Sequence, residues 1–338
     1  MHQPDHAAPG TESEDALLTV RGLRVRYRTA SGPVEVIRDV SLQVGGSETV
    51  ALVGESGSGK STIGLALMGL VRGTAGEITD GEIVFDGEDL IAADEVAMRR
   101  LRGARMSMIF QDPLSSLNPV LTIGRQIREL FTAHRQLGRA EARRRTIELL
   151  RRVRMPDPER RYRQYPQQFS GGMRQRVMIA MALALDPGLI IADEPTTALD
   201  VTVSERIMEL LGELTGEQGS GLLLITHDLA VVADRADRVY VLYAGRVMES
   251  GPIREVYEHP ANPYTRGLLQ SVPTPSQVGQ RLTPIAGSPP DPGALPPGCA
   301  FAPRCPLARQ QCTEQEPELR EVAPGRFSAC HFAEEVIT

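Results

Sequence analysis

From Leu17 to about Gly251 the chain alternates short apolar runs with stretches of helical period. Three of the runs, at residues 49–53, 189–192 and 222–226, are almost continuously apolar instead of alternating. That is the pattern of parallel strands buried on both faces, so an α/β fold with helices covering the sheet is expected. Each run gives way to polar residues, and open α/β sheets bind ligands beyond the carboxyl ends of their strands. Helices are expected at residues 62–70 and 175–185. The stretch from about Met98 to Gln168 reads as helical throughout, with ten arginines within residues 139–163. Residues 1–16 mix His, Pro, Gly and acids and read as a disordered tail. After Gly251 the pattern changes again: 15 of the 25 prolines follow it, which excludes a long helix or a central strand.

Composition sharpens this picture at three points. With 37 basic and 43 acidic side chains the chain is mildly acidic, which disfavours a bare grip on duplex DNA. The arginine run lacks interleaved stacking aromatics and reads as a solvated helix face, so no nucleic-acid partner is expected. The longest apolar stretch, residues 177–185, falls far short of the roughly 20 residues that cross a bilayer, and the start of the chain has neither a basic nor an apolar segment. The chain is therefore expected on the cytoplasmic side. Finally, 36 of the 37 basic residues are arginine and the single lysine is Lys60, a compact ammonium kept where chemistry needs one.

Lys60 lies in Gly54-Glu55-Ser56-Gly57-Ser58-Gly59-Lys60-Ser61, which fits G-x-x-x-x-G-K-[ST] between an apolar strand and a helical pattern. Gly54, Ser56, Gly57 and Gly59 let backbone N–H groups wrap phosphates at a helix N-terminus. Lys60 bridges the β- and γ-phosphates, Ser61 ligates Mg²⁺, and Thr62 continues the cradle into the helix. Asp193 and Glu194 close the 189–192 strand, where one carboxylate can hold Mg²⁺ and its neighbour face an attacking water. Ser170, Gly171 and Gly172 precede a further helix; by themselves they read equally well as a cap and a turn.

The order of these motifs, with Gln111 after the phosphate loop, Ala198-Leu199-Asp200 after Glu194 and His227 after the next strand, resembles the ATP-binding-cassette (ABC) ATPases over about residues 18–251. The resemblance implies a P-loop NTPase core at residues 17–251 with a helical signature subdomain at about 98–175. It implies two cassettes facing head to tail, each ATP lying between one phosphate loop and the other chain's Ser-Gly-Gly signature. Ser170, Gly171 and Gly172 then bind nucleotide in trans, Glu194 polarises the water, His227 orients it, Gln111 senses Mg²⁺ and the water, Asp200 completes the site, and Tyr27 stacks on adenine. The signature departs from the common Leu-Ser-Gly-Gly-Gln at Phe169 and Met173 but keeps the phosphate-facing residues.

Asn262-Pro263-Tyr264-Thr265, Gly287-Ser288-Pro289-Pro290 and the Pro297–Cys305 segment resemble the C-terminal region of dipeptide and oligopeptide importer ATPases. All four cysteines, Cys299, Cys305, Cys312 and Cys330, lie in this small irregular extension, residues 252–338. A reducing cytoplasm argues against disulfides, and the C-x₂₋₄-C knuckles usual for Zn²⁺ are missing. The resemblance implies a [4Fe–4S] cluster on the four thiolates, with Zn²⁺ as the alternative, structural or redox-sensing and away from ATP. His331 reads as a bystander. The implied partners are a second, related cassette, two membrane permeases and an extracytoplasmic peptide-binding protein. Nickel or glutathione as cargo, or a DNA- or ribosome-acting ATPase, are the competing readings. The last lacks its marks: only about 110 residues separate Lys60 from Ser170, too few for a long coiled coil, and there is one cassette.

Overall fold

The computed structural model describes residues 16–197, 199–271 and 284–337. Of the tail expected to be disordered, residues 1–16, the first fifteen lie outside them, and Ala16 instead opens a strand. The chain divides into two units, one taking in everything up to Ala92 and from Ile225 onward, the other Ala93–Leu224.

In the first unit, β1 (Ala16–Thr29) and β2 (Gly32–Gly45) form an antiparallel hairpin. β1 also pairs with β4 (Gly76–Phe85), which carries the two-residue β5 (Glu88–Asp89), so this antiparallel sheet has the order β2-β1-β4-β5. The central strand β3 (Thr49–Val53) is buried from Val50 onward and runs parallel to β9 (Arg238–Tyr243). β10 (Arg246–Pro252) returns antiparallel beside β9. The helix Lys60–Leu67 follows β3, starting two residues before and ending three before the expected bounds.

The second unit holds β6 (Met106–Ile109) parallel to β7 (Leu189–Asp193), and the first four residues of β8 (Gly221–Thr226) beside β7. Around them stand the helices Ile123–His134, Arg139–Arg152, Gly171–Leu183 and Val201–Gln218. β6 corrects the reading of residues 98–168 as helical throughout. Its four residues are all buried, and so short a run of Met, Ser and Ile carries no period that separates strand from helix.

The extension does not form a unit of its own. β12 (Arg326–Ser328) pairs with β10 on one side and with β11 (Arg320–Ala323) on the other. A strand flanked on both sides was not expected in a proline-rich tail, but none of the three β12 residues is proline, so each can serve a ladder. Glu316 is held by Arg38 at 3.0 Å and Arg246 at 2.9 Å. The Asn262-Pro263-Tyr264-Thr265 motif has a structural reason. Asn262 accepts from Tyr264 N–H at 3.0 Å and caps the helix Pro263–Gln270, and proline fills its first position. The Asn262 amide also donates to Met248 O (3.0 Å) and Ala329 O (3.2 Å), joining β10 to the residues after β12.

Candidate nucleotide site

Two sets of candidate residues lie in different units. In the first unit the loop after β3 turns on glycines with positive φ: Gly54 (156°), Gly57 (79°) and Gly59 (105°). A side chain at Gly54 would place Cβ 2.1 Å from Leu242 O, and one at Gly59 would meet Ile37 Cδ1 at 2.5 Å. The loop thus needs glycine at both places for backbone conformation and for space. Gly59 starts the Lys60–Leu67 helix with no side-chain cap, the arrangement that presents a helix N-terminus to an anion. Lys60 is buried, and its ammonium donates to Gly54 O at 2.8 Å and Glu55 O at 2.9 Å. Tyr27 lies half-buried in β1 opposite Gly76, where any Cβ would strike its ring at 2.7 Å. His227 follows β8 and is exposed, which removes the alternative of a satisfied core histidine.

In the second unit Asp193 ends β7 with 4% of its surface exposed. Glu194 adopts φ 45°, a left-handed conformation rare for a side chain of this kind and typical of residues held at functional sites. Its Oε2 accepts from Gln111 Nε2 at 3.1 Å and from Thr197 Oγ1 at 2.7 Å. The structure thereby joins Gln111, 83 positions away, to the candidate catalytic carboxylate. Thr197 is a partner that the sequence reading missed.

Ser170 stands at the start of the helix Gly171–Leu183 without capping it, and is exposed. The reading of its side chain as a cap therefore fails. Gly171 and Gly172 take the first turn, which begins four residues earlier than expected. At Gly172 any Cβ would stand 2.8 Å from Val203 Cγ1. Phe169, the departure from the usual leucine, is 3% exposed with the Arg161 guanidinium 5.8 Å from its ring centroid, so it anchors the segment as leucine would. Asp200 accepts from Val203 N–H at 3.0 Å and caps the helix Val201–Gln218, a structural task for a residue expected to serve the nucleotide.

The extension reaches the phosphate loop. Glu55 N–H donates to Tyr264 Oη at 2.9 Å, and the Glu55 carboxylate accepts a two-pronged bond from Arg304 at 2.6 and 2.9 Å. All four cysteines line one small cavity with Phe301, Ala329 and Phe332. Phe332 N–H donates to the Cys330 sulfur at 3.4 Å, and Ala302 N–H donates to Cys299 O at 2.9 Å. Burial pushes the Cys299 thiol up to about 11 and raises those of Cys305 and Cys330. Among the described residues no group of three or more His, Cys, Asp or Glu is spaced to hold a metal ion, so neither the iron–sulfur nor the zinc expectation is met directly. His331 lines the same cavity, with Nε2 3.0 Å from Gln315 O.

A glycine-built phosphate loop, an acid pair closing a buried strand and an uncapped Ser-Gly-Gly helix define an ATP-binding cassette, and the ABC transporter family profile matches residues 37–197. The profile of the oligopeptide/dipeptide transporter C-terminal region matches residues 248–312. The chain belongs to the ABC transporter ATP-binding proteins that carry this region. It is 47% identical over 319 residues to the oligopeptide transport ATP-binding protein OppD of Escherichia coli, covering 94% of each chain. It is 46% identical to the oligopeptide transport ATP-binding protein AppD of Bacillus subtilis, over 94% of this chain and 97% of that one. Among solved structures, an ATP-binding cassette dimer in a post-hydrolysis state with ADP and phosphate shares 30% identity and a TM-score of 0.62, over 70% of this chain and 99% of that one. A cassette of the cbiONQ transporter complex from Clostridium perfringens shares 27% identity and a TM-score of 0.61, over 72% and 91%.

Proposed function

We propose that this chain is the ATP-hydrolysing subunit of an importer that takes up dipeptides or oligopeptides across the cytoplasmic membrane. The observation that carries this reading is the coexistence in one chain of a cassette's ATP machinery and an oligopeptide/dipeptide transporter region folded onto it through β10–β12, Asn262 and Arg304. No helix among the described residues is long and apolar enough to cross a membrane. In this reading the subunit works at the cytoplasmic face, bound to two permeases and paired with a second cassette. A peptide-binding protein outside delivers the cargo.

In this reading Tyr27 stacks on adenine, and the backbone of Gly54, Ser56, Gly57, Gly59 and Thr62 holds the phosphates with Lys60. Ser61, Asp193 and Gln111 offer a hydroxyl, a carboxylate and an amide oxygen, the hard oxygen donors that suit Mg²⁺. The ion supplies charge neutralisation on the β- and γ-phosphates. Glu194 polarises the attacking water, and His227 orients it. Ser170, Gly171, Gly172 and Asp200 complete the site of the facing cassette.

The four cysteines hold a [4Fe–4S] cluster. Cys299, Cys305, Cys312 and Cys330 line one largely apolar cavity with Phe301, Ala329 and Phe332, and these four thiolates would hold the cluster there. Anaerobically purified protein is then brown, with about four irons and four sulfides per chain. One zinc and no sulfide would replace the cluster with a Cys₄ zinc site.

Reconstitution with the permeases in liposomes tests the cargo. Peptides with their binding protein should stimulate ATP turnover. Stimulation by nickel or glutathione alone would overturn the peptide assignment.

A further inference from the structure

Two contacts tie the cysteine-bearing extension to the second residue of the phosphate loop, one at its backbone and one at its side chain. Tyr264 is fully buried and accepts from Glu55 N–H at 2.9 Å. Its ring packs against Tyr243 (centroids 4.6 Å apart) and Phe301 (5.3 Å). Arg304 has only 6% of its side chain exposed and grips the Glu55 carboxylate through both terminal nitrogens. It is held in turn by Ala286 O at 2.9 Å and Tyr243 Oη at 3.2 Å. The Glu55 fork is the largest of the influences that raise the Arg304 pKa.

The same loop carbonyl, Glu55 O, accepts from the Lys60 ammonium. Glu55 is thus fixed by its N–H, its carbonyl and its carboxylate, and two of these three restraints come from the extension. An acidic side chain inside a loop built for polyphosphate is a liability, since an uncompensated carboxylate repels the ligand. The buried Arg304 fork compensates that charge at the Glu55 carboxylate itself.

Phe301 and Arg304 both belong to the short segment between Cys299 and Cys305, and Arg304 adjoins Cys305 directly.

We propose that Arg304 is a positioning residue for nucleotide binding, and that through it the 299–305 segment couples the order of the four-cysteine centre to the affinity of the phosphate loop. The proposal rests on the reading that the loop binds ATP, and it departs from the expectation of a cysteine centre remote from the nucleotide.

The test measures binding of a fluorescent ATP analogue to the purified full-length chain, with thermal melting and iron content recorded for each variant. Arg304→Ala should weaken binding about tenfold, the effect of losing one charge-assisted pair. Adding Glu55→Gln should restore it, because the unpaired carboxylate is then gone. Damage by unfolding of the extension would not be rescued in this way. Tyr264→Phe, which deletes only the oxygen that accepts Glu55 N–H, should weaken binding several-fold at unchanged iron content. Cys305→Ser should weaken it in the same Glu55-dependent manner. Should Arg304→Ala fail to fold, Arg304→Lys, which keeps the charge and loses the fork, takes its place with the same expected direction.

Wild-type affinity in Arg304→Ala, or no rescue by Glu55→Gln, overturns the positioning role. Affinity indifferent to Cys305→Ser overturns the link to the cysteine centre. Failure of the wild type itself to bind better than Lys60→Ala would instead defeat the reading of the loop as an ATP site.

Discussion

Replacing Glu194 by glutamine separates the chemistry of the site from its architecture. The hydrogen bonds that tie Glu194 to Gln111 at 3.1 Å and to Thr197 at 2.7 Å fall on the same oxygen, Oε2. A glutamine can turn its carbonyl oxygen to that position and keep both. The left-handed φ of 45° is also no harder for glutamine than for glutamate. The change should therefore cost stability less than about 1 kcal/mol, the net worth of a single ordinary hydrogen bond. What is lost is the other carboxylate oxygen and the negative charge, and with them the means to draw a proton from water. General-base assistance is worth roughly 10²–10⁴ in rate, or about 3–5 kcal/mol of barrier. The expected result is an unchanged melting temperature, unchanged Mg-ATP affinity, and phosphate release slowed by a factor in that range, with an ATP-bound cassette dimer accumulating on gel filtration. The assay uses the reconstituted importer with the companion cassette's own catalytic acid already replaced, so that turnover reports this site alone. Turnover within threefold of the parent would refute the role of Glu194. A melting temperature lowered by many degrees would refute the claim that glutamine preserves the architecture around Gln111 and Thr197.

Gly59→Ala forces a side chain onto φ 105° and against Ile37, so ATP binding should fall at least tenfold while the circular-dichroism spectrum is retained; normal binding would show the loop to be looser than its geometry. Asn262→Ala removes a helix cap and strands two buried carbonyls, at a cost of about 3 kcal/mol, visible as a melting temperature lower by several degrees. Glu249 is 1% exposed, and burial raises its carboxyl to about 7 despite Arg326 nearby. The folded chain therefore holds a proton that the unfolded chain has released. This contribution to stability is complete below the unfolded value of 4.5 and disappears as pH rises through about 7. Urea midpoints should fall between pH 5 and 8, and Glu249→Gln should flatten the fall; equal slopes for the two proteins would place the proton elsewhere.

The parts of the molecule legible in sequence were those where chemistry and backbone make the same demand. Gly54, Gly57 and Gly59 fit a phosphate-loop motif and also adopt positive φ, and a buried run before Asp193 reads as a strand whatever follows it. The helix after Ser170 was placed late, because Gly171 and Gly172 read as a turn, although their lack of side chains is what admits Leu199 and Val203. β6 stayed hidden in four residues. The contacts of the extension were beyond reach for a different reason. Arg304 and Glu55 are 249 positions apart, and nothing local in either segment announces the other. Asn262 was noticed only as part of a resemblance, while its work is to bridge Met248 and Ala329. Asp200 illustrates the reverse limit, since a motif residue can be occupied with capping its own helix.

The pairing of β12 with β10 bears on what happens when the chain is shortened. The composition break at Gly251 invites truncation there, yet Glu249 and Ser250 bond to Ser328 and Phe327 in a ladder that ends at β11. Cut away, that ladder would leave β10 with a row of unpaired amides and carbonyls and the Glu249 carboxylate open along its flank. Such an edge is a template for a second copy of itself. The short β11–β12 ribbon, with the exposed Arg320 and Glu321 on its outermost strand, is a selvedge that keeps the sheet from being continued by a neighbouring molecule. Chains cut after Gly251 should come out of solution as aggregates at concentrations where the intact protein stays clear.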